Sequence, residues 1–198
     1  PDYGVLSPVH LDGKGEHLDG SFAKYVGGAS AVSSKKSDIV EAAFVNAAFW
    51  FIPASALKKV GGFSPLFFHY GEDVDYIHRM RFYGYRVGYT PLTSGCHDRQ
   101  NRPITRETQM KLDRVYYLSV VSDLNSGLAK CLWGGLAPLK PGMLALLRGR
   151  FKEFCFYTGT SVRLLCRYLS IAEIKRFCKQ GRPVFLENVH SKIKPIWS

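Results

Sequence analysis

The sequence predicts an α/β fold, in which a mixed sheet flanked by helices is followed by a basic amphipathic helical tail. Apolar runs of strand length alternate with runs whose apolar residues recur at helical spacing. Hydrophobic residues make up 46% of the 198 residues, which is enough to fill a core. The charge also changes along the chain. Residues Leu124 to Ser198 carry thirteen Lys and Arg against three acids, whereas the preceding 123 residues carry fourteen against thirteen.

The first third of the chain predicts two strands joined by a turn-rich loop. Tyr3 to His10 alternates between apolar and polar residues, as a half-buried strand does. The word HLDG then occurs twice between His10 and Gly20, and its Gly and Asp residues favour turns. The run AAFVNAAFWFIP is almost continuously apolar and ends at a proline. We therefore expect Phe44 to Ile52 to form a buried central strand.

Helix and strand signals alternate after this run. Ala54 to Val60 has the pattern of a short helix closed by two glycines. A second helix is expected to start at Gly71 or Glu72 and to stop at Gly84, with Val74, Ile77 and Met80 on one face. A strand over YRVGYTP follows, and then a long helix that begins near Thr105 or Thr108.

The basic tail mixes large apolar residues with Arg and Lys at helical intervals, for example Leu144, Leu147, Phe151 and Phe154. Three interpretations remain open. The helices can cover their own domain, lie in the plane of an anionic membrane, or bind nucleic acid. Alternation of cations with aliphatic residues suits an interface better than a groove that follows phosphates. The five cysteines contain no C-x-x-C pair, which predicts free and mostly buried thiols.

Three carboxylates, Glu72, Asp73 and Asp75, lie within four positions after an aromatic run. Acids in the first turn of a helix are favoured by the helix dipole, so all three can be simple caps. However, three adjacent acids repel one another, and the loop before them is unusually rich in large apolar groups. A carboxylate that is partly desolvated in such a place can have its basicity raised enough to accept a proton.

The stretch GGFSPLFFHYGEDVDYIHRMRFYGYRVGYTP resembles the signature of family 2 glycosyltransferases, the rhamnosyltransferase-like group that builds bacterial surface polysaccharides. The similarity extends more weakly from Tyr3 to Asp123. Ser64-Pro65 and Tyr76 depart from the usual Asp-Glu and Leu of the family. The residues that match over about 37 positions are Gly61, Gly62, Phe63, Phe67, Phe68, Tyr70, Gly71, Glu72, Asp73, Asp75, Arg79, Gly84, Tyr85, Val87, Tyr89, Pro91 and His97.

The resemblance implies a GT-A fold, a nucleotide-sugar donor and inversion at the anomeric carbon, as in a hexosyltransferase. It implies that Asp73 is the base that deprotonates the acceptor hydroxyl, and that Glu72 orients the acceptor or supports the loop. Asp75 is then expected to cap the helix or to pair with Arg79. The resemblance also places Asn46 where the family often lines the acceptor or donor pocket, although a structural hydrogen bond is an equally open role for this residue. We further expect Tyr70 to contact the substrate and Arg99 to reach the diphosphate.

His97 corresponds to a histidine that completes a divalent-metal site, Mg or Mn, in similar enzymes, and we expect it within reach of Asp73 across one pocket. No D-x-D motif precedes the acid run. By this comparison, residues 1–123 form the acceptor-side half of the domain, without the nucleotide-binding first half, and residues 124–198 form a basic helical extension. We therefore expect the metal to be absent or weakly bound and the chain to be inactive alone.

The expected partners are a nucleotide-sugar donor, a saccharide or polyprenyl-linked acceptor, an anionic membrane surface contacted by the tail, and a second copy in a homodimer; nucleic acid is not expected. The expected location is cytoplasmic, peripheral at the inner face of the cell membrane. Two other function classes remain open. One is a non-catalytic carbohydrate-binding relative, and the other is a basic module that binds membranes or nucleic acid.

Overall fold

A computed structural model describes residues 2–33, 37–67, 69–99 and 103–180. The chain divides into two compact units. The first contains Pro1–Lys58 and Met80–Arg102, and the second contains Lys59–Arg79 and Pro103–Ser198. The first unit holds a mixed sheet and the second is helical, which confirms the α/β class.

The sheet of the first unit has three described strands in the order β1-β3-β2. Strand β1 (Tyr3–Leu11) runs parallel to β3 (Arg86–Cys96), and β2 (Val40–Glu41) pairs antiparallel with β3. The strands predicted over Tyr3 to His10 and over YRVGYTP are confirmed as β1 and β3. The register jumps from the pair Pro8–Thr90 to the pair Val9–Ser94, so the ladder is interrupted at a residue that has no N–H to donate.

Helix α1 (Gly20–Val26) follows the predicted turn-rich loop. Asp19 caps it, because its Oδ1 accepts hydrogen bonds from the amides of Ser21 and Phe22 at 3.0 and 2.9 Å. The helix ends at Gly27, whose φ of 86° is the left-handed C-terminal conformation that glycine favours. Helix α2 (Gly28–Ser33) comes next.

The prediction of a central strand over Phe44 to Ile52 is wrong. The segment is irregular, and Phe51 alone forms an isolated antiparallel bridge with Leu6. The indole of Trp50 donates to the carbonyl of Val45 at 3.3 Å, and a hydrogen bond across five residues requires a folded chain rather than an extended one. The expected burial of this segment is also wrong, because Val45 is its only buried residue and Phe51 is 69% exposed. An apolar run is therefore not sufficient evidence for a buried strand.

Helices α3 (Ala54–Val60) and α4 (Glu72–Phe82) confirm the two short helices that the sequence predicts. On α4, Ile77 and Met80 are fully buried, as expected, whereas Val74 is only half-buried and Tyr76 takes a core position instead. Gly84 follows the helix with a φ of 81° and provides the expected stop.

The second unit consists mainly of five further helices among the described residues: α5 (Arg106–Ser122), α6 (Leu128–Leu136), α7 (Leu139–Leu147), α8 (Phe151–Cys166) and α9 (Tyr168–Lys179). Thr105 caps α5 by accepting from the amide of Thr108 at 3.1 Å, as predicted. The tail is helical over its described part, and residues 181–198 lie outside that part. Helix α5 packs on α6, α8 and α9, so the predicted border at Leu124 falls inside this unit.

None of the five cysteines, all of which lie in the described part of the chain, forms a disulfide. Cys131 and Cys178 are buried, but the other three are exposed, so the expectation of mostly buried thiols is wrong. Burial raises the pKa of Cys178 to about 11. None of the helices in the described part of the chain combines the length and the apolarity needed to cross a membrane.

Candidate functional site

The acid run begins at a strained turn. Tyr70 has a φ of 66° and is the only non-glycine residue with a positive φ among those described; Gly71 follows with a φ of 84°. A side chain at Gly71 is excluded, because its Cβ would lie 2.5 Å from a methyl carbon of Val115. A left-handed non-glycine residue costs about 1–3 kcal/mol, and such strain is often held at functional sites.

The three acids of this run have three different environments. Asp75 is buried and its Oδ2 pairs with Nε of Arg79 at 2.9 Å. Asp73 is half-buried, and its Oδ1 accepts from the amide of Val74 at 2.8 Å. One carboxylate oxygen of Glu72, Oε2, is buried with no hydrogen-bond partner among the described residues. The run is therefore not a set of equivalent helix caps.

The Asp75–Arg79 pair has a structural role. Both side chains are more than nine-tenths buried. The guanidinium also donates to the carbonyls of Val60 and Gly62, at 3.0 and 2.7 Å. The prediction that Asp75 pairs with Arg79 is confirmed. In addition, the pair holds the end of α3 and the two glycines after it against α4.

Tyr76, one of the residues that depart from the family's usual pattern, contributes to the same attachment. Its hydroxyl donates to the carbonyl of Gly61 at 3.1 Å, and its ring lies 4.9 Å from the ring of Phe63. Leucine at this position would bury comparable apolar area but would leave that carbonyl without this donor. Phe63 itself is about half exposed.

Tyr70 is exposed, with its ring 4.0 Å from that of His69. An exposed aromatic face next to half-buried carboxylates suits a ligand with both apolar and hydroxyl surfaces, such as a sugar ring. The left-handed backbone at Tyr70 sets the direction in which this side chain projects. The sequence gave no signal for that conformation, because tyrosine rarely adopts it.

A second group of polar residues lies in the first unit, at the carboxyl ends of the parallel strands β1 and β3. The amide of His97 donates to the carbonyl of Leu11 at 2.8 Å, which joins the two strand ends. Nε of Arg99 lies 3.0 Å from Oδ2 of Asp19 and 3.3 Å from Nδ1 of His97. This edge of an α/β sheet is where ligands commonly bind. The guanidinium of Arg99, however, is already engaged by a buried carboxylate.

His10 joins this group and was not predicted as a site residue. Its ring is fully buried, stacks on Phe22 at 4.7 Å, and lies 6.1 Å from the ring of His97. Nε2 of His10 lies 2.7 Å from the hydroxyl of Ser7. Burial lowers the pKa of His10 to about 4, and the nearby His97 and Arg99 act in the same direction against the opposing charge of Asp19. The ring is therefore neutral at neutral pH.

Residues 7 and 10 would project to opposite faces of a regular strand, so Ser7 and His10 would not meet. The register jump after Pro8 changes this alternation. A proline inside a predicted strand signals such an interruption, and it was the one feature of the sequence that could have indicated the pair.

The predicted site residues are distributed over the two units. Tyr70, Glu72 and Asp73 belong to the second unit, whereas Asn46, His97 and Arg99 belong to the first. Oδ1 of Asn46 is buried and has no hydrogen-bond partner among the residues described. The expected proximity of His97 to Asp73, and the role of His97 as a metal ligand, stay predictions. Across the described ranges, no three His, Cys, Asp or Glu side chains come together as a metal site.

Comparisons of the chain with protein-family models, curated proteins and solved structures yield no match.

Proposed function

We propose that this chain is the acceptor-side part of an inverting glycosyltransferase. It transfers a sugar from a nucleotide-sugar donor to a saccharide or lipid-linked saccharide in polysaccharide biosynthesis. One observation carries the proposal: the acids at the start of α4 are divided between roles. Asp75 forms a buried ion pair with Arg79 at 2.9 Å, whereas Asp73 is half-buried at the helix start.

Asp73 is the base in this proposal. One carboxylate oxygen accepts the proton of the acceptor hydroxyl as that oxygen forms a bond to the anomeric carbon. The bond from the anomeric carbon to the diphosphate oxygen breaks in the same step, and its electron pair leaves with the nucleoside diphosphate. Attack opposite the leaving group inverts the anomeric centre, so a single protein base is sufficient. The described residues do not assemble a donor set for a divalent cation, and no step is assigned to one.

Glu72 and Tyr70 position the acceptor. Glu72 is half-buried next to Asp73, and its Oε2 has no hydrogen-bond partner in the described part of the chain, so no described residue engages that oxygen. The exposed ring of Tyr70 offers a flat apolar face to the sugar. The strain at Tyr70 is offset by the rest of the packing, including the hydrogen bonds that Arg79 and Tyr76 of α4 donate to the carbonyls of Val60 and Gly61.

The wider assignments belong to the same proposal. The sheet of the first unit corresponds to part of a GT-A-like domain. The enzyme works in the cytoplasm, at the inner face of the cell membrane, where nucleotide sugars and polyprenyl-linked acceptors meet.

The test is a transfer assay with the natural protein that carries this sequence, a panel of nucleotide sugars, and saccharide or polyprenyl-linked acceptors. We expect a product whose anomeric configuration, determined by nuclear magnetic resonance, is opposite to that of the donor. Acceptor binding without transfer, measured by calorimetry on the same preparation, would instead support a carbohydrate-binding protein. A product with retained configuration would refute the assignment of Asp73.

A further inference from the structure

Helices α6 and α7, which follow one another in the chain, each carry several large apolar side chains that face solvent. Their exposed fractions range from 38 to 79%. We call this set the α6–α7 surface. Its members are Leu128, Leu132, Trp133, Leu136, Leu139, Met143, Leu144 and Leu147. A monomeric water-soluble protein rarely exposes so many large apolar groups together, and such a patch usually marks an interaction surface.

The packed faces of the two helices explain why these side chains are outside. The buried residues of α6 are Cys131, Gly134 and Gly135, and those of α7 are Gly142 and Ala145. This is the reverse of a soluble amphipathic helix, whose large apolar residues face the core. Small residues inside and large ones outside are the arrangement that helices adopt in lipid.

Neighbouring side chains approach the glycines of α6 and α7 so closely that the two helices cannot be turned to bury their large apolar residues. A Cβ at Gly134 would lie 2.9 Å from a methyl carbon of Val120, and one at Gly142 would lie 3.3 Å from Cβ of Tyr157. The hydroxyl of Ser161 donates to the carbonyl of Gly135 at 2.6 Å, which fixes α8 against α6. A rotation of α6 that buried its leucines would therefore break this packing.

The charged residues of the sequence segment that contains α6 and α7 are all positive. From Leu124 to Lys152 the sequence contains no acid, but it contains Lys130, Lys140, Arg148, Arg150 and Lys152. Arg150 lies 3.6 Å from Glu153. The charge of Arg148 acts on Glu153 and helps to lower the pKa of that carboxyl. Among the ion pairs of the described residues none involves Lys130 or Lys140, so these two cations are available to an external anion.

We infer that the α6–α7 surface binds in the plane of an anionic membrane, with its apolar side chains among the acyl chains and its cations at the lipid headgroups. Each helix has nine residues and is about 14 Å long, well short of the ~30 Å hydrocarbon core. The helices therefore lie on the bilayer rather than across it. Trp133 is 73% exposed and has the amphipathic ring that favours the interface.

Two other occupants explain the surface less well. A second copy docked about a two-fold axis would bring the same cations together, with no acid in this stretch to pair with them. Nucleic acid would neutralise the cations, but it would leave the leucines in water. Of the three occupants, only an anionic membrane accommodates both the apolar side chains and the cations. This inference does not depend on the proposed transferase activity, because vesicle binding is measured without turnover.

The test is sedimentation of the whole chain with vesicles of phosphatidylglycerol and phosphatidylcholine in equal amounts, compared with vesicles of phosphatidylcholine alone. We expect the protein to sediment with the anionic vesicles. The double variant W133S/L147S should bind them at least about tenfold more weakly, because two exposed side chains no longer enter the bilayer. The variant K130Q/K140Q should lose about fivefold for each cation removed.

The matched control is L92S, which makes the same change at a leucine that is 74% exposed on β3, outside the helical unit. It should bind the vesicles like the wild-type chain, and circular dichroism should show that every variant is folded. Unchanged vesicle binding by W133S/L147S would overturn the inference. So would a dimer, detected by analytical ultracentrifugation, that this variant converts to monomer while vesicle binding persists.

Discussion

Substitution of Asp75 by asparagine tests whether this acid is structural. The side chains of Asp75 and Arg79 are 6% and 2% exposed, so the guanidinium would lose its carboxylate in a site that water hardly reaches. Asparagine has nearly the same shape, and the carbonyls of Val60 and Gly62 would still accept from Arg79. The main loss is therefore the countercharge. Leaving one partner of a buried pair uncompensated costs about 3–5 kcal/mol of unfolding free energy.

Urea unfolding followed by circular dichroism measures this loss as a lower midpoint. The matched control is Glu107→Gln, because Glu107 and Lys111 form a pair with the same spacing, acid first and base four residues later, and both side chains are at least 60% exposed. Its midpoint should stay almost unchanged, since exposed pairs contribute little. Similar small shifts for both variants would refute the structural role of Asp75, and with it the division of roles within the acid run.

Two further predictions concern stability. The pKa of His10 is about 4 in the folded chain and 6.5 in the unfolded chain, so only the unfolded state takes up this proton as the pH falls between these values. Stability present above about pH 6.5 should therefore decline by up to about 3 kcal/mol towards pH 4, and His10→Gln should remove that part of the decline in urea titrations. Gly71→Ala should lower the unfolding free energy by more than about 2 kcal/mol, because it combines a positive φ with a steric clash. Gly84→Ala is the control, since its φ is also positive but its Cβ would meet nothing within 4 Å; equal losses would show that the clash is relieved at no cost.

Local signals predicted the elements that have local causes. Strand β1, helices α3 to α5 and the cap at Thr105 follow from side-chain alternation, capping residues and glycine stops, all of which act within a few residues. The failure at Phe44 to Ile52 has a tertiary cause. The side chains of this run contact different neighbours. For example, the ring of Phe49 packs edge-on against that of His10, with the ring centroids 5.3 Å apart. No pattern within the run specifies these contacts.

The same distinction applies to the candidate site. The Asp75–Arg79 pair follows from a spacing of four on one helix, so it could be predicted. The bonds from Arg79 to Val60 and Gly62 span seventeen to nineteen residues and depend on how α3 meets α4. The outward orientation of the leucines of α6 and α7 could not be predicted from the sequence either. Periodicity shows that a helix has two faces, but the glycine contacts decide which face is packed.

The turnover of the Asp73→Asn variant tests the central claim most directly. Asparagine keeps the size of the side chain and can still accept from the amide of Val74, but it has no basic oxygen. In the natural protein that carries this sequence, turnover per folded molecule should fall about a hundredfold or more, while the donor KM changes little. Asp75→Asn, corrected for its folded fraction, should keep most of the wild-type turnover. If both variants show the same mild loss, Asp73 is a helix cap and not the base, and the proposed function is contradicted.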